Sequence, residues 1–363
     1  MEQYVSFDSH KHYTLAGVED KDGSAVRETR IVHRRGAVRE FLAGIEPGAP
    51  VAVEAMGSWY WIVDEIEEAG CTPRLVHPRK AKLMMGMINK SDKLDVRGMN
   101  RLQRNGTLPS VWIPPKELRD VRDLTRTRLV FVKQRTGLKN RFHATLAKYA
   151  LKVEASDIFA PGCRGELENQ LRLLPEQTYF CAREELDWID HFGEEVAHFE
   201  GRIREVFETT EEVDLLDSLP GVGFILAVTI WLEVGDVGRF PSHEKLAAYS
   251  GTTPRLHASG GKTRHGPTRP DVNRFLKWAY VEAANASMIH RKKHPYRHVT
   301  RLYERVRARR GHPKAVVAVG RHLAEATWWM LTRKERYREP SRRPVSSTQA
   351  RARLLHERTT LGD

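Results

Sequence analysis

Four carboxylates in the N-terminal hundred residues have the types and spacing that metal-assisted phosphoryl transfer requires. Asp8 closes a short apolar run at residues 4–7, and Glu54 sits inside a second apolar run, VAVEAMG. A carboxylate on a buried strand loses hydration and needs a cation or a donor beside it. Asp92 and Asp95 lie three residues apart in KSDKLD, which puts both on one helix face. If the strands bearing Asp8 and Glu54 converge with that helix, the four acids meet and repel unless divalent cations neutralise them. Hard oxygen donors favour Mg2+, with Mn2+ the alternative. Two such ions about 4 Å apart activate an attacking oxygen and stabilise the leaving one. The ordinary reading makes Asp8 a turn cap and Asp92 and Asp95 surface acids.

A second constellation lies near residue 260. Ser259 is followed by Gly260, Gly261, Lys262 and, two residues on, Arg264. A hydroxyl, an approachable backbone and positive charge are the parts that present an oxygen nucleophile to a phosphodiester. Without the nucleophile the same segment is a phosphate-binding loop. It is not a P-loop, because the glycine required five residues before Gly261 is replaced by Leu256. His290 and His294 are spaced i, i+4 among Arg291, Lys292 and Lys293, and fit a basic face better than a metal site. The turn LPGVG, with Gly221 and Gly223, resembles a helix-hairpin-helix turn whose N–H groups point at a phosphate. Lys11, three residues after Asp8, and Arg274, at the start of a helical pattern, are further candidates for nucleic-acid contact.

The elements that must position these residues are legible in outline. Residues 4–7, 12–19 and 26–33 read as three strands of a meander, the last two joined by a turn at Asp22-Gly23. Residues 38–45 read as a helix, 50–55 as a strand buried on both faces, 59–69 as a helix and 73–77 as a strand, with a further helix after it. That order matches an RNase H-like α/β domain. Residues 116–150 suit one long helix. Leu186, Ile189, Phe192, Val196, Phe199, Ile203 and Val206 step by three or four in a second. With a loop at Pro161-Gly162-Cys163 between them, the two form an antiparallel hairpin or a dimerisation coiled coil. A mostly helical unit begins near Asp214, with an apolar helix at 224–234, a loop or several turns at 250–271, and helices at 273–287 and 315–331. The expected divisions are 1–113, 114–212, 213–337 and a polar, basic, disordered tail at 338–363.

Composition narrows the function classes. The 363 residues carry 60 Lys plus Arg against 47 Asp plus Glu, a formal charge of +13. The charge is partitioned: net −4 over 1–79, +12 over 80–150, −13 over 151–250 and +18 over 251–363. The middle blocks can neutralise each other across a helical hairpin, whereas the C-terminal surplus points to a polyanion, most commonly nucleic acid. The longest apolar stretch, 224–232, is too short to span a bilayer, and the N-terminus has no secretory pattern, so no membrane partner and a cytoplasmic, nucleoid-associated location are expected. Three dispersed cysteines exclude a disulfide scaffold.

Taken together, these blocks resemble the insertion-sequence one-ten family of DEDD transposases, bridge-RNA-guided DNA recombinases. The resemblance runs through FDSHK, VAVEAMGSW and KSDKLDVRGMNRL for a RuvC-like domain, and through LPGVGFILAVTIWLEVGDVGRFPSHEKLAAYSGTTPRLHASGGKTRHG for the C-terminal transposase domain. It carries the acidic tetrad onto Asp8, Glu54, Asp92 and Asp95 and the nucleophile onto Ser259. Departures are Ser6-Phe7-Asp8 in place of Gly-Ile-Asp, Val96 after Asp95 and Ala258 before the serine; none removes a catalytic side chain. The resemblance implies a covalent phosphoserine link to DNA, Mg2+ on the carboxylates, a noncoding bridge RNA and a homo-dimer or homo-tetramer. It also implies active sites that combine the acids of one subunit with the serine of another. Alternatives are a RuvC-type nuclease or junction resolvase, and a non-catalytic nucleic-acid scaffold.

Overall fold

The computed structural model describes residues 2–86, 91–268 and 271–340, with only the backbone described at Lys262, Thr263 and His265. The chain divides into two compact units, Met1–Lys116 and Glu117–Asp363.

The first unit is mixed α/β. Its elements are β1 (Gln3–Ser9), β2 (Tyr13–Asp20), β3 (Ala25–Val32), α1 (Ala37–Leu42), β4 (Pro50–Glu54), α2 (Trp59–Glu68), β5 (Thr72–Val76), α3 (Pro78–Met85) and α4 (Asp92–Arg104). The sheet order is β3-β2-β1-β4-β5. The first three strands pair antiparallel, while β1–β4 and β4–β5 are parallel. Side chains alternate across each strand. Val5, Phe7, Val51 and Val53 pack with Val38, Phe41, Ile62 and Ile66 in one core cluster. Ala52 and Val76 pack with Ala81, Met85, Met99 and Leu102 in another. Helices therefore cover both faces, which is why β4 reads as a continuous apolar run. This architecture is compatible with an RNase H-like domain.

The second unit is mostly helical. Its elements are α5 (Lys116–Lys148), α6 (Arg164–Leu171), α7 (Glu176–Phe207), α8 (Glu211–Asp217), α9 (Phe224–Val234), α10 (His243–Tyr249), β6 (Pro254–Ser259), β7 (Lys262–Thr268), α11 (Arg274–Ile289), α12 (His298–Arg310) and α13 (His312–Arg333). Contacts between α5 and α7 run in opposite senses along the two helices. Phe131 meets the rings of Phe192 and Phe199, at 5.9 and 5.4 Å between centroids. Arg128 pairs with Glu200, and Arg141 with Glu185 at 2.5 Å. Part of the basic block before residue 150 is thus neutralised by the acidic block after it. Between these helices the chain makes a short 3-10 turn at Pro161–Cys163, at the place of the expected loop, and then α6, an element the sequence reading does not include. Leu167 and Leu171 of α6 complete a core with Phe142 and Leu186, so that segment has a buried face of its own.

The expected loop over 250–271 is also corrected. Its central part is an antiparallel hairpin, β6–β7. Residues 256–259 of β6 are exposed, so that stretch has no buried face to impose the period-two pattern from which strands are read.

Buried Glu233 at the end of α9 ties three elements of this unit together. Its carboxylate, 0% exposed, accepts two hydrogen bonds from Arg126, at 2.7 and 2.9 Å, and one from Asn273 Nδ2 at 2.8 Å. Asn273 Oδ1 in turn accepts from the backbone N–H groups of Phe275 and Leu276, capping α11. Arg122 donates to the Leu232 and Glu233 carbonyls. Burial pulls the Arg122 guanidinium below its usual range, against the opposing pull of Glu233. Removing one side of a buried ion network strands the other. Glu233→Ala is therefore expected to cost about 3–5 kcal/mol, read as a lower urea midpoint of the full chain. A loss below about 1 kcal/mol, the worth of a surface pair, would show that the network carries little.

Candidate active site

The alternation that builds the two cores also aims the acids. Val5 and Phe7 of β1 and Val51 and Val53 of β4 face one helical layer. Ser6, Asp8, Ala52 and Glu54 therefore face the other. Because β1 and β4 are parallel with Phe7 opposite Val53, Asp8 and Glu54 follow each other in register on adjacent strands. Asp8 is only 9% exposed, and Glu54 is half-buried.

The helix on that face supplies the other two acids. Ser91 caps α4, its Oγ accepting from the Leu94 N–H at 3.3 Å, and Asp92 and Asp95 occupy the first turn. Negative charge is favoured there by the helix dipole. The helix is pinned to the sheet by polar bonds to backbone. Ser6 Oγ donates to the Val96 carbonyl at 2.7 Å, Asn100 Nδ2 to the Gly17 carbonyl at 3.2 Å, and Gln103 Nε2 to the Val5 carbonyl at 2.7 Å. Close approach also needs Gly17, where a Cβ would collide with Cγ1 of Val96. Asp8, Glu54, Asp92 and Asp95 consequently line one cavity of about 420 Å3, together with His10, Arg79 and Lys82.

His10 is a member of this site that sequence reasoning missed. Its Nε2 lies 3.4 Å from Asp8 Oδ2 and 3.2 Å from Asp92 Oδ2. The one available signal was its place two residues after Asp8, which on an extended chain returns a side chain to the same face. A polar chain leads away from the acids: Ser9 Oγ is 3.0 Å from Thr14 Oγ1, which is 2.8 Å from His33 Nε2. Burial holds the His33 imidazole below its ordinary range, which favours its neutral form. Lys11 is exposed and lines an adjoining groove with Ser9, His10, Met56, Gly57 and Ser58. Arg79 and Lys82 of α3, also unanticipated, bring positive charge to the rim of an acidic cavity, where a phosphate needs it.

In the second unit, Ser259 ends β6, opposite Lys262 at the closing pair of the hairpin. Gly260 and Gly261 form the two-residue turn, with φ of 55° and 73°. Two successive residues at positive φ are the requirement of a type I′ turn, and glycine meets it without strain. Ser259 and Arg264 are exposed on this hairpin, whereas the Lys262 side chain lies outside the described residues. Arg274 is exposed at the first turn of α11. Gly223 is exposed before α9, but Gly221 is packed on α11, where a Cβ would strike the Ala283 carbonyl.

Comparison with known proteins bears on both units. Residues 5–151 match the IS110 DEDD model, described as a transposase, and residues 213–299 match the model of the transposase IS116/IS110/IS902 family. The transposase for insertion sequence element IS1111A of Coxiella burnetii is 26% identical over 335 residues, covering 90% of this chain and 88% of that protein. A probable family 20 transposase of Pseudomonas aeruginosa is 26% identical over 310 residues, 84% of this chain and 90% of its own. The insertion element IS110 43.6 kDa protein of Streptomyces coelicolor is 33% identical over 134 residues, 36% of this chain and 32% of its own. The chain belongs to the IS110 family of DEDD transposases.

A DEDD transposase acts on DNA and uses divalent metal. The donors fit that use, since four carboxylates converge on one cavity and offer hard oxygens beside the carboxyl ends of two central strands. Among the described residues no helix is long and apolar enough to cross a membrane.

The docking of α4 controls where two of the four acids stand. Gly17→Ala is expected to push Val96 away, lowering stability by about 1–3 kcal/mol through overpacking and weakening divalent-cation binding in calorimetric titration. Val96→Ala removes the colliding methyl groups, so the double variant should recover binding and be less destabilised than the two single losses combined. Unchanged binding in Gly17→Ala would mean that the acids do not depend on this contact.

Proposed function

We propose that this transposase cuts and rejoins DNA through a covalent phosphoserine intermediate at Ser259, guided by a noncoding bridge RNA. The observation that carries the reading is the convergence of Asp8, Glu54, Asp92 and Asp95 on one cavity. Those four residues would hold Mg2+, which when bound supplies charge stabilisation to the reacting phosphate. Ser259 attacks phosphorus: the Oγ–P bond forms, a P–O bond to the sugar breaks, and the serine proton is passed on as the released hydroxyl is protonated. Because bond energy is kept in the Oγ–P link, attack by another sugar hydroxyl can reseal a strand and regenerate the serine. Exposure of Ser259 at the end of β6 supports its access to a duplex.

The finer architecture goes with this reading. The first unit acts as a RuvC-like domain, α5 to α7 as a coiled-coil segment, and the turn at Gly221 and Gly223 as a helix-hairpin-helix-like phosphate contact. The chain works as a homo-dimer or homo-tetramer in the nucleoid, with acids and serine drawn from different subunits. Phe180 and Trp188, exposed on α7, support association of copies. Lys11, Gly260, Gly261, Lys262, Arg264 and Arg274 serve nucleic-acid contact, and base pairing with the RNA, not side chains, selects sequence.

The decisive experiment traps a protein–DNA adduct that survives denaturation. Ser259→Ala should abolish the adduct and strand exchange, and leave DNA binding within a few-fold; Asp8→Asn should abolish Mg2+-dependent strand transfer. Cleavage retained in Ser259→Ala would make the protein a metal-dependent nuclease that activates water. Activity untouched by Asp8→Asn would remove the carboxylates from the chemistry.

Binding should also weaken steeply with salt. Each phosphate neutralised by Lys or Arg releases counterions, so six to ten contacts lose about 10³–10⁵ in affinity between roughly 50 and 200 mM salt. A flat response in a filter-binding titration would contradict a phosphate-backbone interface.

A further inference from the structure

The acids described above supply oxygen alone, yet the cavity also contains a nitrogen. His10 Nε2 is sealed from solvent and makes no hydrogen bond to any described residue. It stands between two carboxylate oxygens, 3.4 Å from Asp8 and 3.2 Å from Asp92. One ligand atom each from Asp8, His10 and Asp92 lies within 4.8 Å of the other two. Donors arranged around a single six-coordinate cation, with bonds of about 2.1–2.2 Å, stand roughly 3–4.4 Å apart. The three atoms therefore already have nearly the spacing of one coordination sphere. The ring is held by the Tyr13 side chain, 4.5 Å between centroids, and by its place at the end of β1.

We infer that His10 Nε2 is a direct metal ligand, forming with Asp8 and Asp92 a mixed nitrogen–oxygen site that prefers Mn2+ to Mg2+. This rests on the reading that the carboxylates hold divalent ions, and goes beyond it in the donor set and in the choice of ion. The chemistry is one of ligand softness. Mg2+ holds its waters and takes carboxylate and phosphate oxygen, and an imidazole gains it little. A first-row transition cation accepts imidazole nitrogen readily, and Mn2+ does so while keeping the six-coordinate geometry that carboxylates and phosphate require. His10 thus adds affinity for one ion and little for the other. Asp95 and Glu54, on the same cavity, remain an all-oxygen pair for a second ion.

The test uses the full-length protein with Mn2+ and Mg2+ alone as probes. Pulsed electron paramagnetic resonance of the Mn2+-loaded wild type should show hyperfine coupling to an imidazole 14N. That coupling should vanish in His10→Gln while Mn2+ still binds. Calorimetric titration should show the Mn2+-over-Mg2+ preference falling roughly tenfold in His10→Gln and His10→Asn, with Mg2+ affinity changed less than about twofold. Absence of nitrogen coupling in the wild type overturns the inference, as does an unchanged preference in both variants; in either case the carboxylate reading stands if Asp8→Asn loses both metals. Retention of both metals by Asp8→Asn would overturn the carboxylate reading, and this inference with it.

Discussion

Like charges held close together are the constraint around which the N-terminal unit is arranged. Four carboxylates on one cavity repel, and burying them deeply would add a desolvation cost that no core could offset. The fold meets this by placing them where strands end and a helix begins. Asp8 and Glu54 lie near the carboxyl ends of the parallel pair β1 and β4. Asp92 and Asp95 lie in the first turn of α4, where the helix dipole favours negative charge. Arg79 and Lys82 border the same cavity and reduce the repulsion at its rim. The remaining imbalance is a negative charge that a divalent cation would neutralise.

Holding acids against their own repulsion requires a rigid frame, and the frame is largely apolar. Helices on both faces of the sheet bury Val5, Phe7, Val51 and Val53 on one side and Ala52 and Met99 on the other. Three side-chain bonds to backbone then fix the rotation of α4. The second unit uses a different device, a fully buried carboxylate shared by Arg126, Arg122 and Asn273, which joins the long helix α5 to α9 and α11. One unit gathers its acids on a cavity, and the other encloses one to hold itself together.

The two candidate reacting groups differ in their setting. The acids are recessed and preorganised, whereas Ser259 is exposed at the end of β6, beside the two glycines of a tight turn. A nucleophile that must reach a phosphate inside a duplex gains from projection, and a metal site gains from enclosure. The charge distribution follows the same division. Arg128 and Arg141 are paired with acids of α7, while the large surplus after residue 250 has few acids to meet it.

Much of this was legible in the residues. The strands and helices of the first hundred residues follow from apolar runs, Asp-Gly and Pro-Gly punctuation, and the tetrad from four acids in strand and helix contexts. What the pattern could not yield was an element with no buried face, or one too short, to advertise it. Residues 256–259 of β6 are exposed and show no alternation, and α6 is too short to carry a clear period. His10 reads as one histidine among sixteen, because its meaning lies in a distance to Asp92, more than eighty residues away, which only the docking of α4 creates. Local patterning thus determined which elements form and which acids they bear. Tertiary packing alone decided that those acids share a cavity with a nitrogen, since that depends on a helix lying close to a strand, over a position where no side chain but hydrogen would fit.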